Sequence, residues 1–213
     1  MKRKLIHWFG LCGILAFLSY TAAVVFSPSA YPGYQWMTQA VSDLSAESAP
    51  SRQLWNQLAA FYNVGSVACV TCVSIRVSEQ KPASKLFRTG IYLFTLMSWI
   101  SSVGYGMFPL ADAGREIVSF QEIMHIAVTV LVVLLSIVSL VLLIIAGLKN
   151  KEVRSTGIFA AIALAMMMTG AIGQSLVPPQ YFGIVERFSV FAAVGFTAVL
   201  GWQLFAGMFE NGQ

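Results

Sequence analysis

Charge is what this sequence has least of. Only 10% of its 213 residues are Asp, Glu, Lys or Arg, while 57% are hydrophobic. Soluble domains carry roughly 25% charge, so a fold solvated by water is excluded and one solvated mainly by lipid is indicated. Cysteine is scarce as well. Cys12, Cys69 and Cys72 all fall inside apolar runs, which excludes a disulfide framework. The Cys69-x-x-Cys72 spacing reads as small-residue packing in a lipid-embedded helix, with a redox pair as the competing reading. There is no Walker sequence, no Gly-x-Ser-x-Gly and no His-Glu-x-x-His. Nothing resembles a nucleic-acid reader, and no nucleic-acid partner is expected. The net charge of +4 sits in short loops, where membrane topology accounts for it.

What is present is apolar length. A bilayer crossing takes roughly 20 apolar residues, and six segments qualify: 5–26, 54–75, 86–108, 120–148, 155–177 and 184–209. All six read as helices, because backbone groups facing lipid must be paired within their own segment. The expected fold is therefore all-α, one integral membrane domain over residues 1–213, a polytopic bundle of six transmembrane helices. The first segment has the basic-then-apolar plan of a signal peptide, but its apolar run is long and reads as a retained span.

Ten of the thirteen Lys and Arg fall at the N-terminus and in the second-to-third and fourth-to-fifth connections; Arg52, Arg115 and Arg187 fall on the other side. The positive-inside rule then places both termini in the cytoplasm and the protein in the plasma (inner cell) membrane. Six of the nine acids lie on or near the outer side: Asp43, Glu47, Asp112, Glu116, Glu122 and Glu186.

That outer side carries the unusual polar chemistry. In the first outer loop, Pro32-Gly33 suits the centre of a type II turn, since Gly accepts positive φ. Tyr31, Tyr34 and Trp36 then lie at headgroup level. Met37, Val41 and Leu44 recur at i, i+4 and i+7, which predicts a short interfacial helix flanked by Ser42, Asp43 and Ser45. Two readings of Asp43 compete: a cap closing a turn, or a carboxylate pointing into an outer polar cavity. Ser48 is expected to cap the second span with Pro50 in its first turn, and Ser119 with Glu122 forms a capping box at the fourth. Glu122 and His125 share a helix face. His125 is an ionisable group near the membrane, and such groups are functional by default. His7 lies beside the cytoplasmic Lys4. Two histidines on opposite membrane sides cannot ligate one haem, and a single Glu-x-x-His is half of what a di-iron bundle uses. A zinc site normally needs three protein ligands, which Asp43, Glu122 and His125 could in principle supply, but a single histidine counts against it, so no metal or cofactor is assigned. Arg187 is suited to an outer acid or to a lipid phosphate. Asn63, Ser66 and Gln174 are expected to form interhelical hydrogen bonds.

Taken together, Tyr31-Pro32-Gly33, Ser42-Asp43-Leu44-Ser45, the Phe108-Pro109 closing the third span, His125 and Gly183-x-x-Glu186-Arg187 resemble the six-span bacterial and archaeal membrane proteins grouped as domain of unknown function 998. The resemblance covers nearly the whole chain. It implies the architecture, and it groups the outer-loop element with His125 and Glu186-Arg187. The family often places an acid directly after the Phe-Pro, where this chain has Leu110, with Asp112 nearby.

The expected function is binding of a membrane lipid headgroup or small amphiphile at a polar outer site, formed by Tyr31, Tyr34, Ser42, Asp43, Glu122, His125, Glu186 and Arg187. The alternatives are a membrane-embedded hydrolase resembling the alkaline ceramidases, with Asp43 and His125 as the catalytic candidates, and a proton-coupled transporter using Asp43 or Glu122 with His125.

Overall fold

A computed structural model describes residues 3–79, 84–111 and 119–210. Among these there is no β-strand. The helices are α1 (Leu5–Trp8), α2 (Gly10–Phe26), α3 (Arg52–Leu58), α4 (Ala60–Glu79), α5 (Lys85–Met107), α6 (Phe120–Lys149), α7 (Arg154–Leu176) and α8 (Phe182–Phe205). Six of them are long. Five helical runs are long and apolar enough to cross a membrane: Leu5–Ala30, Arg52–Glu79, Phe120–Lys149, Lys151–Leu176 and Pro179–Phe205. The remaining long helix, α5, is diluted by Ser, Thr, Gly, Trp and Tyr. Asp112, Arg115 and Glu116 lie outside the described residues.

The helices pack as α5 on α6, α6 on α7, α7 on α8, and α2 between α4 and α8. Lipid gives no hydrophobic drive between helices, so close approach depends on small residues. Gly10 and Gly201 supply it where α2 crosses α8: a Cβ on Gly10 would collide with the Gly201 carbonyl oxygen. Gly147 and Gly157 do the same for the α6–α7 hairpin, where a Cβ on either would stand 2.8 Å from the other's Cα. Cys69 is buried in the core cluster and touches the α2–α8 crossing, in line with the packing reading of the Cys pair. The polar glue differs from expectation. Asn63 and Gln174 face outward, and the buried bonds run instead from Thr156 Oγ1 to Gln203 Oε1 (2.9 Å) and from Ser139 Oγ to the Gly90 carbonyl (2.8 Å).

Three boundaries depart from the sequence reading. The last helix ends at Phe205, because Gly207 takes φ +73° and turns the chain back. Phe209 is thereby buried against Phe87, ring centroids 6.2 Å apart. The second span begins with α3 at Arg52, so Pro50 precedes the helix; the residue at the cap position is Ser51, whose hydroxyl instead donates to the Leu44 carbonyl at 2.8 Å. The interfacial helix is replaced by turns and one 3₁₀ turn, Ser42–Ser45. The cause is local. Side chains of Tyr34, Asp43 and Glu186 take backbone groups of residues 40–41 that a helix would have used, the competition that polar side chains regularly offer to helix formation. The expected apolar stripe divides accordingly: Val41 and Leu44 are buried while Met37 is exposed.

The Ser119–Glu122 capping box forms as expected, with Glu122 N donating to Ser119 Oγ (3.2 Å) and Ser119 N to Glu122 Oε2 (2.9 Å). So does the turn at Tyr31: Gly33 has φ +81°, and Tyr34 N donates to the Tyr31 carbonyl.

Candidate functional site

The 27–51 loop folds over one end of the bundle and is held there mainly by the first turns of α8. Gly183 allows the approach: a Cβ there would collide with both the Trp36 and the Gln39 carbonyl oxygens. Its own N–H donates to the Met37 carbonyl at 2.8 Å. One turn on, the Arg187 guanidinium reaches across the loop. Nη1 donates to the carbonyls of Trp36 (2.7 Å), Gln39 (3.2 Å) and Gly183 (2.6 Å), and Nη2 donates to the Tyr34 hydroxyl (2.7 Å). The Trp36 ring lies within 5.9 Å of the same guanidinium. Tyr34 in turn donates its hydroxyl proton to the Ala40 carbonyl at 2.9 Å. A planar fork with five N–H groups suits this task, because several carbonyls must be met at fixed angles.

Two carboxylates complete the cluster. Glu186 Oε2 accepts from Val41 N and Asp43 Oδ2 accepts from Ala40 N, each at 3.2 Å. Asp43 thus closes a turn, as one of its two readings held, yet its other oxygen makes no hydrogen bond among the described residues. The same is true of Glu186. Burial pushes the Asp43 carboxyl up from its ordinary range, against the Ala40 N–H and the Arg187 charge, which pull it down. Burial likewise raises the Tyr34 phenol, with Arg187 opposing. Tyr31 stacks beside Tyr34, ring centroids 5.6 Å apart, and Ser42 is half-buried in the 3₁₀ turn.

Glu122 and His125 belong to a second cluster. His125 Nδ1 lies 2.8 Å from the Phe108 carbonyl and its ring 5.1 Å from that of Tyr105, so it serves the end of α5. Gln121 does the same for the Pro109 carbonyl at 2.9 Å. Glu122 sits in its capping box. Among the described residues no hydrogen bond or ion pair joins this cluster to Asp43, Glu186 or Arg187. Nor do three or more His, Cys, Asp or Glu side chains gather there as a metal ion would need. Ser45 Oγ donates to the Ser42 carbonyl, and among the described residues no hydrogen bond joins Asp43 to His125, the two catalytic candidates.

Residues that the sequence reading passed over lie at both ends. Beneath the loop, Tyr20 packs edge-on against Trp55 (5.5 Å) and Phe191 (5.9 Å) and beside Tyr62 (4.6 Å), an aromatic floor into which Val41 plugs. At the opposite end His7 is 1% exposed, and its Nε2 faces Glu210 Oε1 at 3.0 Å. Arg76 stands 3.7 Å from the same oxygen and 2.9 Å from Glu79. A histidine inside an apolar run, with a terminal acid to match, was the available signal.

An all-α bundle with several bilayer-length apolar helices, roofed at one end by a hydrogen-bonded loop, defines a polytopic helical membrane protein. The chain belongs to the family described as protein of unknown function (DUF998), whose model matches residues 14–203. No curated protein and no solved structure matches the chain.

Proposed function

We propose that this protein crosses the plasma membrane six times, with both termini in the cytoplasm, and binds a lipid headgroup or small amphiphile at the outer face under the 27–51 loop. Parity supports the sixth crossing. The His7–Glu210 and Arg76–Glu210 contacts gather residues near the N-terminus, the end of α4 and the stretch after α8 at one end; an odd number of crossings would separate them, which supports α5 as a sixth. The concentration of Lys and Arg at that same end supports its cytoplasmic placement.

The observation that carries the binding role is the unused acceptor capacity of the loop–α8 cluster. Asp43 and Glu186 are half-buried, and each has one carboxylate oxygen without a hydrogen bond among the described residues. Arg187, suited by residue type to a lipid phosphate, has both Nη groups engaged with the loop. The chemistry left over is that of an acceptor, which favours a headgroup rich in N–H or O–H donors. Tyr31, Tyr34 and Ser42 would line the approach. Hydrogen exchange in nanodiscs, with phosphatidylethanolamine as the probe, tests this. The amides of residues 36–45 should slow when the lipid is supplied, and the double variant Asp43→Asn, Glu186→Gln should remove the effect. Exchange that ignores every lipid supplied would overturn the reading.

A further inference from the structure

A second polar surface lies beside the loop cluster and shares no residue with it. The end of the loop and the outer side of α3 border an open surface groove of about 540 Å³, lined chiefly by Glu47, Pro50, Arg52, Gln53, Asn56 and Gln57. That volume falls within the range of small-molecule sites, roughly 300–1,000 Å³. Its walls are pinned. Glu47 N donates to the Leu110 carbonyl at 2.9 Å, Arg52 Nη1 to the Glu47 carbonyl at 3.3 Å, and the fully buried Ser51 hydroxyl to the Leu44 carbonyl. Gln53, Asn56 and Gln57, by contrast, are exposed and make no side-chain hydrogen bond among the described residues.

The lining decides which chemistry fits. Glu47 and Arg52 cancel in formal charge, so neither an anion nor a cation has a net partner. A phosphate would meet the Glu47 carboxylate, and an ammonium the Arg52 guanidinium. Three amides offer donors and acceptors together, and hydroxyl groups, each a donor and an acceptor at once, match that pattern. The surface then changes character along the same side of the helical run. After Gln53 and Gln57 come Phe61, 68% exposed, and Val64, 73% exposed. Residues spaced by three and four share a helix face, so amides at one level give way to bare apolar side chains a turn or two deeper into the bilayer. We propose that this groove binds the hydroxyl-rich headgroup of a neutral glycolipid, whose chain lies along Phe61 and Val64.

Native mass spectrometry of the full chain, purified in a detergent without a sugar headgroup, tests the assignment. Diglucosyl diacylglycerol, phosphatidylglycerol and phosphatidylethanolamine of matched chains serve as probes. The glycolipid should be retained preferentially as a single adduct. The double variant Gln53→Ala, Gln57→Ala, which removes exposed side chains only, should weaken retention about ten-fold, the effect of roughly one net hydrogen bond. Phe61→Ala, which removes part of the surface proposed to hold the chain, should weaken it as well. Asp43→Asn with Glu186→Gln should leave it unchanged, which separates this site from the loop cluster. Equal retention of the three lipids, or an adduct indifferent to the groove variants, would overturn the proposal.

Discussion

Removing the Arg187 fork should free the loop without unfolding the bundle. Arg187→Ala deletes the hydrogen bonds to the Trp36 and Gln39 carbonyls and to the Tyr34 hydroxyl, all of which cross to the loop; the bond to Gly183 lies within α8. Three hydrogen bonds at about 1 kcal/mol net each give about 3 kcal/mol. Partial solvent access lets water replace some of them, so about 2 kcal/mol, or roughly thirty-fold in the loop-open population, is expected. The Gly183 N–H to Met37 bond and the burial of Val41 and Leu44 remain, and they keep the closed state dominant. Hydrogen exchange in nanodiscs reads this directly. The amides of Leu44 and Gly183, both bonded within the loop or to it, should exchange roughly thirty-fold faster, while α6 amides keep their wild-type rates. Arg187→Lys should fall in between, since one ammonium cannot span three acceptors. Unchanged loop exchange, or acceleration spread over all helices, would refute the claim that this side chain holds the loop.

Other outcomes follow from the same geometry. Because burial raises the Asp43 carboxyl above its unfolded value, the folded loop binds its proton more tightly; loop stability should be greatest at acid pH and decline as pH rises through the raised value. Asp43→Asn should flatten that profile, measured by loop exchange corrected for intrinsic rate. Glu210→Ala strips the fully buried His7 and the partly buried Arg76 of their shared partner, and thermal unfolding in detergent should report a loss of about 2–3 kcal/mol. Gly10→Ala forces a Cβ onto the Gly201 backbone and should destabilise the bundle by about 1–3 kcal/mol. Gly195→Ala, with no heavy atom within 4 Å of its Cβ, should be neutral or gain about 0.5–1 kcal/mol from helix propensity.

The helices were legible because each must satisfy its own backbone in lipid, and apolar length records that need directly. Local punctuation was legible for a similar reason: the Ser119–Glu122 box and the Gly33 turn are set by residues three or fewer apart. What the chain does over long separations was less so. Periodicity at Met37, Val41 and Leu44 could not reveal that Glu186, some 145 residues away, would take the Val41 N–H and deny the segment its helix. Nor could the sequence show that the His125 ring would meet the Phe108 carbonyl and make no hydrogen bond to the loop carboxylates among the described residues. Polar residues on one side of a membrane share a depth but need not share a hydrogen-bond partner. His7 was passed over because its partner, Glu210, reaches it only through the chain reversal at Gly207.

The binding claim meets its most direct test in native mass spectrometry of the protein released from cell-membrane patches with its own lipids. The account predicts a 23.2 kDa chain carrying a bound lipid or amphiphile, with occupancy that falls in the Asp43→Asn, Glu186→Gln variant and persists in His125→Ala. A bare chain from patches that otherwise retain their lipids, or occupancy lost with His125 and not with Asp43 and Glu186, would contradict it.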